Sequence, residues 1–150
     1  VWPISLEIAG ARMTLNQDGS VGLMLGATEI GQGADTVFSQ MTAEVLNMDI
    51  SDIHIQTVQD TDVTPFDTGA YASRQSFVTG TVVKDCANLL KKKILAYAKE
   101  LLPEGRKGSG NISWKSCIGE LLQSWQFFCY YSRGFRAGKE KYDCHRMLLC

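Results

Sequence analysis

The pattern of apolar and polar positions predicts an antiparallel hairpin near the start of the chain. Residues 6–15 mix small, polar and branched side chains, and residues 16–19 (Asn-Gln-Asp-Gly) follow as a turn in which Gly19 can adopt a positive φ. The short apolar run at residues 21–25 then continues as a second strand. Two such runs around a turn are typical of paired neighbouring strands.

Helical and extended periodicities then alternate. A first helix is predicted after the loop at residues 26–33, with Asp35 or Thr36 placed to cap it. Residues 53–58 alternate and are rich in β-branched side chains, which predicts a strand. The apolar face of the first helix comprises Phe38, Met41, Thr42, Val45 and Leu46.

A second helix is predicted from Ser73 to about Leu101, after a long polar loop at residues 59–71. Its buried face is predicted to comprise Phe77, Val82, Cys86, Leu89, Leu90, Ile94 and Ala98. The element order is therefore β-β-α-β-α, which predicts an α/β or α+β domain.

The composition changes near residue 104. Residues 1–104 carry seven Lys and Arg against thirteen Asp and Glu, whereas residues 105–150 carry eight against three. The second part also holds eight of the fourteen aromatic residues. The run at residues 103–110 resembles a linker. We therefore predict one domain at residues 1–104, followed by a linker and an irregular, basic tail rich in Cys and aromatic residues at 105–150.

Three interpretations of this tail remain open. It is a second small domain, a basic arm for a partner, or sequence that does not belong to the ancestral fold, and the third is favoured because its periodicity is poor. Residues 118–128 fit one amphipathic helix. The four cysteines of the tail have no zinc-site spacing, so we expect no metal site there.

Charge and hydropathy exclude several classes of function. A net charge of −1 gives no field for nucleic acid or an anionic membrane, and no apolar run approaches the length of a membrane span. The start at Val1 lacks the features of a signal peptide and indicates a cut inside a longer chain. We expect a cytoplasmic protein without nucleic-acid or membrane partners.

Two polar, glycine-containing loops each run into a predicted helix. The first contains Gly31, Gln32 and Gly33, and the second contains Tyr71, Ala72, Ser73 and Arg74. Because a helix start presents N–H groups and a positive dipole end, such loops can hold an anion or an oxo ligand. From spacing alone, turn formation and helix capping are clearly favoured over a ligand site for both loops. Likewise, Asp60, Asp62 and Asp67 favour turn formation over a metal site, and His54 favours a surface position on its strand.

The stretch GATEIGQGADT at residues 26–36 resembles the molybdenum hydroxylases, the family of xanthine dehydrogenases and aldehyde oxidases. The resemblance continues through residues 59–62 and the GAYASRQ stretch at 69–75, and covers most of residues 5–102 in order. It is nearest to the molybdenum-binding subunit of a bacterial xanthine dehydrogenase. The fold it implies is the β-β-α-β-α portion of a molybdopterin-binding domain.

The resemblance implies a role for each loop. Gln32, between Gly31 and Gly33, matches the glutamine that contacts the molybdopterin cofactor in the family. The loop with Tyr71, Ser73 and Arg74 matches the wall at the metal, and Ala72 matches the residue nearest to molybdenum. Family members from mammals have Ala where this chain has Tyr71.

The resemblance also implies a reaction and partners. The family hydroxylates purines such as xanthine or hypoxanthine with oxygen from water. Its cofactor is molybdenum bound to molybdopterin or the cytosine dinucleotide form, and electrons pass to FAD and 2Fe-2S clusters on partner subunits or domains of an oligomeric complex. The general base of the family is a Glu with no matching motif in this chain, so no catalytic residue is predicted. The alternative is a non-catalytic remnant or a fragment that only contacts other subunits.

Overall fold

A mixed sheet with two helices is built from residues 7–101, 127–136 and 139–143, which the computed structural model describes. The elements are the strands β1 (Glu7–Leu15) and β2 (Val21–Leu25), the helix α1 (Ala34–Leu46), the strand β3 (Ile53–Ile55), the helix α2 (Gly80–Leu101), and the strands β4 (Phe127–Arg136) and β5 (Lys139–Asp143). The strand order is β3-β2-β1-β4-β5. This confirms the predicted mixed α and β fold class.

The predicted hairpin is present. β1 and β2 pair antiparallel from Ala11 opposite Leu25 to Leu15 opposite Val21. Gly19 closes the turn at a φ of 87°, as its position predicts. The Asp18 carboxylate accepts hydrogen bonds from the Ser20 hydroxyl at 2.7 Å and the Ser20 N–H at 2.9 Å, which lowers the pKa of Asp18.

Alternate residues of β1 and β2 face the helices and form the core. Ala9, Ala11, Met13 and Leu15 are buried, while Arg12 and Thr14 between them are partly exposed. β3 lies parallel to β2, and α1 makes the crossover between them. The core is completed from α1 and α2 by Phe38, Leu46, Val82, Val83, Cys86 and Leu90. Small side chains at residues 9 and 11 leave room for α2, where the Cys86 thiol lies 3.8 Å from the Ala11 carbonyl oxygen.

The start of α1 differs from the prediction. Gly33 is the N-cap, in a left-handed conformation at a φ of 77°, and it makes no side-chain cap hydrogen bond. The prediction that Asp35 or Thr36 caps this helix is wrong, because both residues lie inside its first turn. Glycine suits the N-cap here because a left-handed backbone is strained for residues with a Cβ.

The start of α2 also differs from the prediction. The helix begins at Gly80, and a π-helical turn at Gln75–Thr79 precedes it. A π-turn holds more residues per turn, so Phe77 falls out of phase with the apolar face of α2 and is 79% exposed, contrary to the prediction. Val82, Cys86, Leu90 and Ile94 are buried as predicted. Within the described part of the chain, no helix is long and apolar enough to cross a membrane.

Two strands come from the segment that was predicted to be irregular. β4 pairs antiparallel with β1 over nine positions, from Glu7 opposite Phe135 to Leu15 opposite Phe127, and β5 extends the sheet. The prediction of an irregular tail is therefore wrong for these residues. Aromatic residues have a high strand propensity, and the free edge of β1 provides the partner that the isolated segment lacks. Phe127 and Phe128 lie in β4, not in the predicted helix, whose other residues fall outside the described ranges.

Candidate functional site

The carboxylate of Glu29 organises the loop that leads into α1. Its two oxygens accept hydrogen bonds from the N–H groups of Gly31 at 2.7 Å, Gly33 at 3.0 Å and Asp35 at 3.1 Å. These donors include N–H groups at the start of α1, where the sequence predicted that an external anion could bind. The chain therefore supplies its own anion to this helix start.

The pKa values of two carboxyls in this loop are shifted. The N–H groups of Asp35, Gly33, Gly31 and Ala34 lower the pKa of Glu29 against the opposing effect of desolvation. Burial, with a smaller contribution from the negative charge of Glu29, raises the pKa of Asp35. The pKa of Glu29 is thus below its ordinary value, and the pKa of Asp35 is above its own.

The lowered pKa of Glu29 predicts an acid-side loss of stability. A carboxyl whose pKa is lowered by folding stabilises the fold at pH values above 4.5, the ordinary pKa of Glu. This contribution to stability disappears as the pH falls through the lower pKa of the folded state. We expect the urea midpoints of the wild-type chain and Glu29→Gln to differ most above pH 4.5 and to converge below it. A difference that does not change with pH would contradict this assignment. Asp35, with its raised pKa, contributes with the opposite sign.

A pair of glutamines joins the two predicted loops. The Gln32 amide Nε2 donates to Gln75 Oε1 at 2.7 Å and to the Thr28 carbonyl oxygen at 3.1 Å. Gln75 Nε2 donates to the same Thr28 oxygen at 3.3 Å, and the Ile30 N–H donates to Gln32 Oε1 at 2.6 Å. Two loops that are forty residues apart in sequence thereby form one surface.

The second loop turns tightly through residues with a left-handed backbone. Ala72 and Ser73 have φ values of 50° and 56°, and the Arg74 N–H donates to the Tyr71 carbonyl oxygen at 3.1 Å. Positive φ at both central residues is the geometry of a type I′ turn, which normally contains Gly, Asn or Asp. Each such residue with a Cβ costs roughly 1–2 kcal/mol. Strain of this kind persists only where neighbouring contacts enforce it.

Arg74 and Asp67 supply those contacts. Arg74 Nη1 lies 2.6 Å from Asp67 Oδ1, and the two side chains are only 3% and 1% exposed. The guanidinium also donates to the carbonyl oxygens of Gly69 and Ile8, both at 2.8 Å. The Asp67 carboxylate accepts further bonds from the Gly69 N–H and the Thr79 hydroxyl. This network attaches the turn to β1 and to the π-helical turn that precedes α2.

Two glycines allow the long loop to cross the sheet closely. A Cβ on Gly26 would lie 2.4 Å from the Pro65 carbonyl oxygen, and one on Gly10 would lie 2.5 Å from Pro65 Cβ. Pro65 is buried against this pair, which we call the glycine seat (Gly10 and Gly26). The seat places Asp67, two residues after Pro65, where it meets Arg74.

The structure separates the predicted site residues into two groups. Gln32, Ala72 and Ser73 are exposed, as are Gly31 and Gly33, so this group forms the common surface of the two loops. Arg74 points inward to its ion pair, and its guanidinium carbon lies 5.3 Å from the centre of the Tyr71 ring, whose hydroxyl contacts Thr68 Oγ1 at 3.2 Å. The Arg74 side chain is therefore an anchor of the turn, not an exposed ligand for an anion.

Sequence reasoning missed Glu29, Asp67 and Gln75 as site residues. A Glu two residues before Gly31 and four before Gly33 is a signal that local spacing contained. The other two contacts join residues that are distant in sequence. Asp67 was predicted to form a turn, and its bond from the Gly69 N–H at 2.8 Å confirms this part of the prediction.

Other polar features lie apart from the two loops. Asp60 accepts a hydrogen bond from the Asp62 N–H at 2.9 Å, which confirms that it forms a turn. His54 is exposed and lines a groove of about 510 Å³ between β2, β3 and Val63, which contains no residue of either loop. In the described residues, no group of three or more His, Cys, Asp or Glu is arranged to hold a metal ion.

The sequence is similar to parts of known xanthine dehydrogenases. It is 57% identical over 101 residues to the xanthine dehydrogenase molybdenum-binding subunit of Escherichia coli O157:H7, covering 67% of this chain and 13% of that protein. It is 41% identical over 100 residues to xanthine dehydrogenase of Drosophila pseudoobscura pseudoobscura, covering 67% of this chain. The chain thus spans 13% and 7% of the length of these two relatives.

The fold is similar to that of two solved oxidoreductases. The Cu,Mo-CO dehydrogenase matches with a TM-score of 0.64 at 19% identity, covering 89% of this chain and 22% of that one. Quinoline 2-oxidoreductase from Pseudomonas putida 86 matches with a TM-score of 0.64 at 16% identity, covering 92% of this chain and 22% of that one. The model of the molybdopterin cofactor-binding domain matches residues 2–134. The chain therefore belongs to the molybdopterin cofactor-binding domain family.

Proposed function

We propose that this chain binds a molybdenum–molybdopterin cofactor as part of the molybdenum-binding subunit of a xanthine dehydrogenase-type hydroxylase. The observation that carries the proposal is the hydrogen bond between Gln32 and Gln75, which joins the two loops into one surface. The strained turn at Ala72 and Ser73 lies in one of these loops. Backbone strain held by a buried ion pair is typical of a functional surface.

The residues at this surface fit a flat ligand with polar edges. A Cβ on Gly31 or Gly33 would meet no atom within 4 Å, so a bulky ligand can approach the backbone there. Gln32 Oε1 keeps a second lone pair that can accept from a ligand, whereas its two N–H groups already donate to Gln75 and Thr28. Ile30 and Phe77, each two residues from one of the paired glutamines, are 74% and 79% exposed and offer apolar contact. Apolar walls with a few placed polar groups are the usual construction of a cofactor site.

Each group of residues has its own role in the proposal. Gln32, within Gly31 and Gly33, would contact the pterin through its amide. The backbone of Ala72 and Ser73 would form the wall next to the metal, with Ala72 nearest to it. Tyr71 and Arg74 would hold that wall in place from below. When bound, the cofactor supplies the metal centre for hydroxylation and for accepting the electrons.

The wider activity follows the relatives. We propose that the whole protein hydroxylates a purine such as xanthine or hypoxanthine with oxygen from water. Its cofactor would be molybdopterin or the cytosine dinucleotide form, and its partners would carry FAD and 2Fe-2S clusters in a cytoplasmic, oligomeric complex. The general base would come from outside residues 7–101.

Analysis of molybdenum and pterin tests the proposal. The 150-residue chain would be purified alone and after co-expression with the flavin- and iron–sulfur-containing subunits of a related enzyme. The molybdenum and pterin contents of both preparations would be measured. Near-stoichiometric molybdenum and pterin under either condition would support cofactor binding. If both are absent under both conditions, the proposal is wrong and the chain is a remnant or a fragment that contacts other subunits.

Replacing Gln32 tests the surface directly. We expect Gln32→Ala to reduce retained pterin about tenfold, because a hydrogen bond to the cofactor and the bond to Gln75 are lost together. Because the side chain is exposed, the urea midpoint should change little. Gln40→Ala is the matched control, since Gln40 is an exposed glutamine within α1 and belongs to neither loop. Equal pterin retention by both variants would contradict the assignment of Gln32.

A further inference from the structure

Gln32 lies on a segment that would be flexible without an added constraint. Both of its neighbours are glycines, with φ values of 97° at Gly31 and 77° at Gly33. Glycine reaches such values easily but also loses the most conformational freedom when it is ordered. Hydrogen bonds with Gln75, Thr28 and Ile30 hold the side-chain amide of Gln32. The backbone between the two glycines therefore needs a constraint of its own.

Glu29 is positioned to provide this constraint. Its Oε1 accepts from the N–H groups of Gly31 and Gly33, on both sides of Gln32, and its Oε2 accepts from Asp35 in the first turn of α1. The carboxylate thereby ties the backbone on both sides of Gln32 to the first turn of α1. A bond between a carboxylate and an N–H group is stronger than a neutral one, so the loop is ordered before any ligand arrives.

We propose that Glu29 is a positioning residue that holds the Gln32 amide in the conformation that meets the cofactor. It acts from behind the loop and need not touch the cofactor itself. The proposal rests on the proposed function for its consequence in binding. The ordering of the loop by Glu29 can be measured without any cofactor.

Two variants and a control test this proposal in the full 150-residue chain. Glu29→Ala removes both acceptor oxygens, and Glu29→Gln keeps the shape with one acceptor. Glu44→Gln is the control, because it removes the same charge at an exposed position on α1. Amide hydrogen exchange would be followed residue by residue in the chain without cofactor, and retained pterin would be measured after co-expression with the partner subunits.

We expect local effects at the loop. In Glu29→Ala, exchange at the Gly31, Gly33 and Asp35 amides should accelerate roughly tenfold or more, since each loses a hydrogen bond to a charged group. Exchange within β1 should stay as in the control. Retained pterin should fall in the order wild type, Glu29→Gln, Glu29→Ala.

Three outcomes would overturn the proposal. Unchanged exchange at the three amides would mean that Glu29 does not order the loop. Faster exchange throughout the chain would mean a general structural role, and an opened loop with full pterin retention would separate Glu29 from binding. If the wild-type chain retains no pterin, the proposed function fails, whereas amide exchange still decides whether Glu29 orders the loop.

Discussion

Replacing Arg74 by Met is expected to lower the free energy of unfolding by about 3–5 kcal/mol. The variant leaves the Asp67 carboxylate, 1% exposed, without its cationic partner, and an uncompensated buried charge destabilises a protein by about this amount. The guanidinium bonds to the Ile8 and Gly69 carbonyl oxygens are lost as well. Urea denaturation followed by circular dichroism measures the change.

The same variant should also affect the site. Ala72 and Ser73 hold positive φ values next to Arg74, and without the anchor we expect them to relax toward ordinary backbone conformations. Retained pterin should then fall with stability. If Arg74 instead binds the cofactor directly, retention should fall while the urea midpoint stays near that of the wild type.

Two further variants separate the ion pair from general effects. The double variant Asp67→Asn with Arg74→Met removes both charges and should recover part of the lost stability, because no isolated charge stays buried. Lys84→Met removes an exposed cation from α2 and should change stability by less than about 0.5 kcal/mol. A loss in Lys84→Met equal to that in Arg74→Met would contradict the role of the buried pair.

The elements of the main domain were predictable because their periodicities are local. The hairpin around Gly19 and the buried face of α2 from Val82 to Ile94 both follow from spacing within a few residues. Phe77 was misplaced because a π-turn changes the phase, and nothing in apolar periodicity reports such a turn. β4 was missed because its partner is β1, which is more than a hundred residues away.

The candidate site was predictable only in part. The resemblance identified both loops, but the contacts that bring them together join residues remote in sequence, such as Gln32 and Gln75. The inward direction of Arg74 depends on Asp67 and on the Ile8 carbonyl oxygen of β1. The sequence of a Ser-Arg pair at a helix start does not indicate whether the Arg side chain points to a ligand or to the core.

Replacing Gly26, one of the two residues of the glycine seat, is expected to have the second large effect on stability. In Gly26→Ala, the new Cβ would lie 2.4 Å from the Pro65 carbonyl oxygen and 2.7 Å from Asp67 Cβ, so the loop backbone must move. Overpacking of this kind typically costs about 1–3 kcal/mol. Because the displaced segment includes Asp67, we expect the pair with Arg74 to weaken and pterin retention to fall together with the urea midpoint.

Gly22→Ala is the matched control for the seat. Gly22 lies in β2, the strand that Gly26 directly follows, but the nearest atom to its added Cβ is 3.8 Å away, which is ordinary van der Waals contact. Removing a glycine from a strand interior should stabilise the chain by about 0.5–1 kcal/mol. If Gly26→Ala lowers the stability and Gly22→Ala raises it, glycine is needed at residue 26 because the loop approaches closely there, and not because of strand propensity. If both variants lose the same amount of stability, the close contact at the glycine seat does not position Asp67. Its hydrogen bonds alone would then do so.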